Sequence, residues 1–355
     1  MNDPILAGPL PASARDAEPA LTGLPRLLSD HFSEGSLRAL LGPESAALDS
    51  TIWQRALHAP VLDFVERPSK ALRATLASRC YELAGGPAPY PEELGAIVEI
   101  LHAGSLIIDD IEDGSTSRRG RPALHALHGV PVALNAGNWM YFWALDLVRQ
   151  LPLSDAAQLS LYRWLSRTLL RCHHGQGLDL TSDVYASAQG DAPALVRATT
   201  ELKTGALMEL SAVLGALGAG AAPALADEFA RFGREVGVAL QMLDDVGGLV
   251  SEKRCHKGHE DLLHGRPTWP WAWLALELPS ERYAELLALG SQVAARRQHP
   301  ELLARRLRAQ LRGSGRVRIR RHLHAAFARL EQAAGASPAL SALRAELQRM
   351  EKSYA

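Results

Sequence analysis

Apolar residues recur at three- and four-residue spacing over long stretches of the chain, as they do in helices that bury one face. Ala and Leu dominate the hydrophobic residues, which make up 47% of the sequence. One apolar run, GALMELSAVLGALGAGAAPALA at 205–226, approaches the roughly 20 residues of a membrane span, but Glu209 and several glycines favour a buried helix. The pattern predicts a mostly α-helical protein without a transmembrane segment.

The N-terminus departs from this pattern. Residues 1–25, MNDPILAGPLPASARDAEPALTGLP, are rich in Pro and Ala, and we predict that they are disordered. They lack the basic start and continuous apolar core of a signal peptide, so we predict a cytoplasmic protein. Since no Pro-, Ser- or Gly-rich linker divides the rest of the chain, we predict one all-α domain over residues 26–355.

Charge and cysteine content narrow the classes of partner. The formal net charge is −1, which gives no overall field to attract nucleic acid, and we expect no nucleic-acid partner. The three cysteines, Cys80, Cys172 and Cys255, are far apart and match no metal-binding spacing. They suit a reducing cytosol, and we assign them no chemistry.

Four acids fall within five positions at the end of one apolar run, in LHAGSLIIDDIEDGSTSRRGRP at 101–122. Asp109, Asp110, Glu112 and Asp113 would repel one another on a bare helix end, which predicts a bound cation. On a helix, Asp109 and Asp113 share a face and Asp110 lies close beside them. Carboxylate oxygens select a hard cation, and the motif therefore predicts a Mg²⁺ site.

An arginine pair and a second acidic pair extend this chemistry. Arg118 and Arg119 follow the first motif, and guanidinium groups bind phosphate in a bidentate manner. Asp244 and Asp245 end another apolar stretch, FGREVGVALQMLDDVGGLV, with Gln241 one turn before them. An isolated DDxxD is frequently a solvated helix end, whereas two acidic helix ends that face each other across a pocket would hold a cluster of metal ions.

Together these segments resemble the trans-isoprenyl diphosphate synthases, also called polyprenyl synthetases. The stretch LHAGSLIIDDIEDGSTSRRGRPALH is similar to the first aspartate-rich region of that family, with DDxxD and RRGxP at the family spacing. Five further stretches occur in the family's order, and the resemblance covers roughly residues 60–275. They are SKALRA at 69–74, LNAGNW at 134–139, GQGLD at 175–179, KTGAL at 203–207 and QMLDD at 241–245. The resemblance implies an all-α helical bundle around a deep apolar pocket.

The resemblance also implies a reaction and a set of site residues. Mg²⁺ would draw charge from an allylic diphosphate until it ionises, and the double bond of isopentenyl diphosphate would attack the allylic cation. The matching metal ligands are Asp109, Asp110, Asp113, Asp244 and Asp245. The matching contacts to the allylic diphosphate are Arg118, Lys203 and Lys257, with Lys253 as the alternative lysine; those to isopentenyl diphosphate are Lys70, Arg73, His102 and Arg119. Thr204 and Gln241 match residues near the developing cation, and Gln176 and Asp179 fall on the GQxxD motif.

The chain departs from the family pattern at several positions. Ala71 replaces an arginine of the isopentenyl diphosphate site, and Gly248 replaces the last acid of the second DDxxD. Asn138 stands where the family commonly has Asp, and Ile108 where it commonly has His. The fold expectation is unaffected by these changes.

Three functions remain open on this basis. The leading one is prenyl transfer by a homodimer, with a product longer than ten carbons and about twenty as the best estimate. That estimate rests on the small residues Gly104 and Ser105, which match the floor of the chain pocket in the family. The second is a terpene cyclase or unusual prenyltransferase that ionises an allylic diphosphate. The third is a non-catalytic subunit of a synthase, against which the intact first motif argues.

Overall fold

The computed structural model describes residues 23–252 and 254–353, and over these ranges the chain is helical apart from loops and one short hairpin. The prediction of an all-α fold is confirmed. In the first part of the chain the elements are α1 (Leu24–His31), α2 (Glu34–Leu41), α3 (Pro43–Ala46), α4 (Ser50–Trp53), a π-helical turn (Gln54–His58), α5 (Ala59–Val65), α6 (Leu72–Leu83), α7 (Glu92–Glu112), β1 (Ser117–Arg118), β2 (Arg121–Pro122), α8 (Leu124–His128) and α9 (Val130–Gln150). In the second part they are α10 (Asp155–Thr181), α11 (Ala192–Thr200), a π-helical turn (Glu201–Gly205), α12 (Ala206–Gly218), α13 (Pro223–Val250), α14 (Cys255–Leu263), α15 (Trp269–Glu277), α16 (Ser280–Ala294), α17 (Pro300–Leu311), α18 (Ser314–Ala334) and α19 (Pro338–Ser353).

The N-terminal segment predicted to be disordered lies almost entirely outside the described residues. Of residues 1–25, positions 1–22 are not described, and Leu24 and Pro25 form the first turn of α1. Among the described residues, no helix combines the length and the apolar character needed to cross a membrane.

Backbone contacts divide the chain into two compact units. The first unit contains the described residues up to Leu72 together with Glu99–Ala144, and the second contains Arg73–Val98 and the chain from Leu145 onwards. The prediction of one domain over residues 26–355 stays a prediction.

A close helix crossing holds together the part of the first unit that carries the first acidic motif. A Cβ added at Gly104 of α7 would lie 2.8 Å from the carbonyl oxygen of Gly137 and 3.3 Å from Tyr141 Cε1 on α9. A Cβ added at Gly137 would in turn lie 2.8 Å from Ile108 Cδ1. The two glycines therefore let the backbones of α7 and α9 approach more closely than larger residues allow.

Long apolar helices form the core of the second unit. Nearly all of α12 is buried, as the run at 205–226 predicts, and α13 packs against both α12 and α18. One carboxylate is buried inside this packing: Glu209 of α12 accepts hydrogen bonds from Arg171 Nη1 at 2.6 Å and from Arg234 Nη2 at 2.8 Å. Burial raises the pKa of Glu209, but the hydrogen bonds from Arg234 and Arg171 outweigh it and the pKa is lowered overall.

Candidate active site

The first acidic motif lies at the end of α7, with Asp109 and Asp110 in its last turn and Asp113 directly after it, and the three aspartates differ in burial. Asp113 is exposed, Asp109 is about one-fifth exposed, and Asp110 is buried. Asp110 Oδ1 accepts a hydrogen bond from Arg118 Nε at 2.8 Å, whereas the buried Oδ2 has no hydrogen-bond partner among the described residues. Burial raises the pKa of Asp110, and Arg118 opposes that rise.

The arginine pair lies on a tight hairpin formed by β1 and β2. Arg119 and Gly120 at its turn have φ angles of 53° and 75°, in the left-handed region that favours glycine. Strand β1 places Arg118 Nη2 3.7 Å from Asp109 Oδ2, in addition to its contact with Asp110. One arginine therefore bridges both aspartates at the start of the motif.

The segment SKALRA begins beside this hairpin. Arg119 Nη2 donates to Ser69 Oγ at 3.4 Å, and the guanidinium of Arg119 lies 5.7 Å from the ring centre of Phe64. Lys70 is exposed, and Ala71 has a φ of 47°. His102, on α7, is half-buried, and its carbonyl oxygen accepts from Ser105 Oγ at 2.8 Å. Arg119 thus contacts the residue that directly precedes Lys70 and Ala71.

In the second unit, a π-helical turn positions the KT pair of the KTGAL segment. A Cβ added at Gly175 of α10 would lie 2.6 Å from the carbonyl carbon of Leu202. Helix α10 therefore packs directly against the backbone of this turn. The Lys203 ammonium donates to Asp179 Oδ2 at 2.6 Å, and Thr204 Oγ1 donates to Gln241 Oε1 at 3.0 Å. Lys203 therefore joins the carboxylate of the GQxxD motif, on which Gln176 is half-buried.

A chain of hydrogen bonds connects Thr204 to the second acidic pair. Gln241 Nε2 donates to Asp245 Oδ1 at 2.8 Å, and the backbone N–H of Trp269, in the first turn of α15, donates to Asp245 Oδ2 at 2.8 Å. Burial raises the pKa of Asp245 to about 7, with both hydrogen bonds opposing the rise. Both oxygens of Asp245 are thus committed to protein donors, which leaves Asp244 as the more accessible acid of the pair.

The structure gives a physical reason for the missing acid at position 248. Gly248 of α13 lies against Gly258 of α14: a Cβ added at Gly248 would be 3.1 Å from Gly258 Cα and 3.3 Å from its nitrogen. An aspartate side chain at 248 would have to displace the backbone of α14. The space that the family's third carboxylate would need is therefore filled by a helix crossing.

Asp261 is a half-buried acid of α14 that belongs to none of the motifs above. It lies one turn after Lys257 on α14, and burial raises its pKa to about 6, with Lys257 opposing the rise and the charges of Asp179 and Asp244 adding to it. These interactions group Asp261 with Lys257, Asp179 and Asp244. The four-residue spacing of Lys257 and Asp261 was the available sequence signal, because it places both on one helix face.

The predicted site residues divide between the two units. The first unit holds Lys70, His102, Asp109, Asp110, Asp113, Arg118 and Arg119; the second holds Arg73, Gln176, Lys203, Thr204, Gln241, Asp244, Asp245 and Lys257. Lys253 lies outside the described residues. That the two acidic motifs face each other stays a prediction.

The first motif suits a divalent cation in its donor set. It offers oxygen ligands only: those of the buried Asp110, whose Oδ2 has no hydrogen-bond partner among the described residues, and those of the more open Asp109 and Asp113. Over residues 23–252 and 254–353, no three His, Cys, Asp or Glu side chains converge closely enough to enclose a metal ion by themselves. Mg²⁺ typically uses one or two carboxylates, retains waters and completes its coordination with substrate phosphates, and the motif fits that mode.

The chain is similar in sequence to one protein family and to several characterised enzymes. The family described as polyprenyl synthetase matches residues 54–302. A geranylgeranyl pyrophosphate synthase of Aspergillus versicolor is 30% identical over 248 residues, which is 69% of this chain and 62% of that protein. The preasperterpenoid A synthase of Talaromyces verruculosus is 30% identical over 276 residues, which is 76% of this chain and 34% of that protein. The chain thus spans less than two thirds of either relative.

A solved structure shares the fold. The polyprenyl synthase of Caulobacter crescentus, solved in complex with calcium and isoprenyl diphosphate, superposes with a TM-score of 0.63 at 23% identity. The match covers 85% of this chain and 91% of that one. At this level of identity the superposition establishes the architecture alone.

Proposed function

The chain belongs to the polyprenyl synthetase family, and from that premise we propose that it is a prenyltransferase that condenses an allylic diphosphate with isopentenyl diphosphate. The observation that carries the proposal is the first acidic motif, where Arg118 bridges Asp109 and Asp110 and an oxygen of Asp110 has no partner among the described residues. A solvated helix end would have no need of a buried aspartate. The expected product is an all-trans prenyl diphosphate of about twenty carbons, as the matching geranylgeranyl pyrophosphate synthase suggests.

Asp109, Asp110, Asp113 and Asp244 would hold Mg²⁺, which would supply the positive charge on which the diphosphate leaves. The guanidinium of Arg118 and the ammonium groups of Lys203 and Lys257 bind the oxygens of the allylic diphosphate. The carbon–oxygen bond then breaks, and its electron pair leaves with the diphosphate. Charge-assisted hydrogen bonds from fixed donors stabilise this separation because the donors need no reorganisation during the reaction.

Residues of the second unit orient the carbon side of the reaction. The hydrogen bond from Thr204 to Gln241 fixes two side-chain oxygens, whose partial negative charge would stabilise an adjacent allylic cation. The double bond of isopentenyl diphosphate forms the new carbon–carbon bond, and loss of a proton restores a double bond. Lys70, Arg73, His102 and Arg119 are proposed to hold the diphosphate of this acceptor, away from the reacting carbons.

We propose that the chain acts as a cytoplasmic homodimer that uses α10 as an interface. A cleft of about 710 Å³ runs along this helix, lined by Tyr162, Leu170 and Leu202 together with the arginines Arg163 and Arg167. Leu170 is 61% exposed and Leu159, three turns earlier on the same helix, is 51% exposed. Exposed aliphatic side chains flanked by arginine are typical of interfaces between subunits.

Product analysis tests the activity directly. Purified protein is incubated with each allylic diphosphate, with and without isopentenyl diphosphate, in Mg²⁺ or in excess chelator, and the diphosphates and hydrocarbons formed are identified. We expect a longer prenyl diphosphate only when both substrates and Mg²⁺ are present. Elongation in excess chelator would contradict the metal assignment.

A terpene cyclase is the second candidate. Two observations favour it: Ala71 replaces an arginine of the acceptor site, and one relative is a preasperterpenoid A synthase. A hydrocarbon formed from an allylic diphosphate alone would identify this activity. A non-catalytic subunit is less consistent with the chain, because it would have no need of the buried Asp110 and its arginine partner.

A further inference from the structure

The turn between α13 and α14 carries an arginine that no motif of the family accounts for. Arg254 Nη1 donates to Asp244 Oδ1 at 2.8 Å, with about one-third of each side chain exposed. Asp244 is the accessible acid of the second motif and a proposed ligand of Mg²⁺. One carboxylate oxygen is therefore available to two different cations.

The crossing of Gly248 and Gly258 determines where this arginine lies. The Gly258 N–H donates to the carbonyl oxygen of Arg254 at 3.3 Å, and the Arg254 N–H donates to Ser251 at 3.1 Å. Arg254 is thus the residue that immediately precedes α14, and the contact between the two glycines holds the first turn of that helix against the end of α13. The same helix crossing that leaves no room for an acid at position 248 also places the guanidinium of Arg254 on Asp244.

These two features change the charge of the second motif. This motif has one negative charge fewer than a motif that ends in a third acid, and the positive charge of Arg254 lies beside Asp244. A guanidinium in that place binds phosphate oxygens well, because its planar fork donates two parallel hydrogen bonds. It also opposes a divalent cation at the same carboxylate, because like charges repel.

We propose that Arg254 is a further diphosphate-binding residue whose guanidinium is held on Asp244 until a divalent cation takes that carboxylate. The inference rests on the proposed function for its two ligands, Mg²⁺ and a diphosphate. With Mg²⁺ held by Asp244, the guanidinium of Arg254 would leave that carboxylate and could donate to the oxygens of a bound diphosphate. Arg254 therefore weakens Mg²⁺ binding when no diphosphate is present. It strengthens diphosphate binding when Mg²⁺ is present.

Isothermal titration with MgCl₂ and inorganic pyrophosphate tests these opposite effects. In Arg254→Gln, we expect the pyrophosphate Kd at saturating Mg²⁺ to rise about 10- to 100-fold, the usual contribution of a charge-assisted contact. In the absence of pyrophosphate, we expect the Mg²⁺ Kd to fall by about threefold or more. Arg254→Lys should restore part of the pyrophosphate affinity. Arg231→Gln, which removes an exposed arginine paired with Glu228 on the same helix, should change neither constant.

The outcomes separate this inference from the proposed function. Wild-type protein that binds pyrophosphate with Mg²⁺, together with unchanged pyrophosphate affinity in Arg254→Gln, overturns the role of Arg254 alone. Weaker binding of both ligands, accompanied by a lower Tm, also overturns it, because a purely structural residue would act in that way. Wild-type protein that binds no pyrophosphate with Mg²⁺ overturns both the inference and the proposed function.

Discussion

At the scale of single residues, the acids of the first motif have different environments although they are adjacent in sequence. Asp110 is buried against Arg118, whereas Asp109 and Asp113 are accessible to a cation. In Asp109→Asn or Asp113→Asn, we expect kcat to fall by about a hundredfold or more, because a proposed metal ligand is lost where negative charge develops on the leaving group. Steady-state kinetics at saturating Mg²⁺ measure the loss. Glu112→Gln, an exposed acid of the same turn, is the control and should stay within a few-fold of wild type.

Residue types and spacing predicted which acids belong to the candidate site but not how each is used. The i, i+4 pair of Gln241 and Asp245 follows from helix geometry, and the structure forms that hydrogen bond. The second partner of Asp245 is the Trp269 N–H, 24 residues further along the chain, and only tertiary packing brings it there. The sequence did not predict Asp261 as a site residue for the same reason: its neighbours Asp179 and Asp244 lie on other helices, and tertiary packing brings the three together.

At the scale of the elements, apolar periodicity identified α7 and α13 and the acidic residues at their ends. It did not predict that RRGRP forms a hairpin, nor that Lys203 and Thr204 lie in a π-helical turn. Both features depend on contacts with other segments, such as that of Gly175 with the backbone of Leu202, which a single sequence does not show. Such contacts also decide whether a glycine leaves free space or allows two helices to pack closely, which its small size alone does not show.

Gly104 illustrates the consequence. In the sequence it suggested free space beneath the product chain, but in the structure it lies against the Gly137 carbonyl. We expect Gly104→Ala to lower the free energy of unfolding by about 1–3 kcal/mol, the usual cost of overpacking a helix contact. Urea denaturation measures the change. Gly177→Ala on α10, where a Cβ would meet nothing within 4 Å, is the control and should be neutral or stabilising. A free energy of unfolding in Gly104→Ala equal to that of wild type would contradict the close crossing. Because Gly104 lies at this crossing, Ser105 is the better position for testing product length.

Glu209 joins three helices through one buried charge. In Glu209→Gln, we expect the free energy of unfolding at pH 7 to fall by about 2–4 kcal/mol, because Arg171 and Arg234 lose their counter-charge. The pKa of Glu209 is lowered by folding, so its stabilisation is present above the ordinary value of 4.5 and is lost as the pH falls through the folded-state pKa. Urea denaturation at several pH values should therefore show the gap between variant and wild type narrowing below pH 4.5. Glu228→Gln, which removes a partly exposed acid of α13 that pairs with Arg231, should show no such gap.

At the scale of the whole molecule, prenyl transfer and cyclisation differ in whether an acceptor diphosphate binds. Lys70, Arg73 and Arg119 remain as cations and His102 as a donor, while Ala71 removes one arginine of the family pattern. The backbone permits the arginine to be restored. Position 71 has a φ of 47°, and because Ala and Arg share the same backbone preference there, the substitution adds little strain.

Restoring this cation tests the choice. In Ala71→Arg, we expect the KM for isopentenyl diphosphate to fall about 10- to 100-fold, since one charge-assisted contact contributes roughly 1.5–3 kcal/mol and each 1.4 kcal/mol is a factor of ten. The KM for the allylic diphosphate should change little, because its proposed contacts are Arg118, Lys203 and Lys257. Ala71→Gln adds a shorter polar side chain without the charge and should leave both constants near their wild-type values. If wild-type protein instead converts an allylic diphosphate to a hydrocarbon without isopentenyl diphosphate, and Ala71→Arg leaves that reaction unchanged, then the acceptor site has been lost and cyclisation is the activity of the chain.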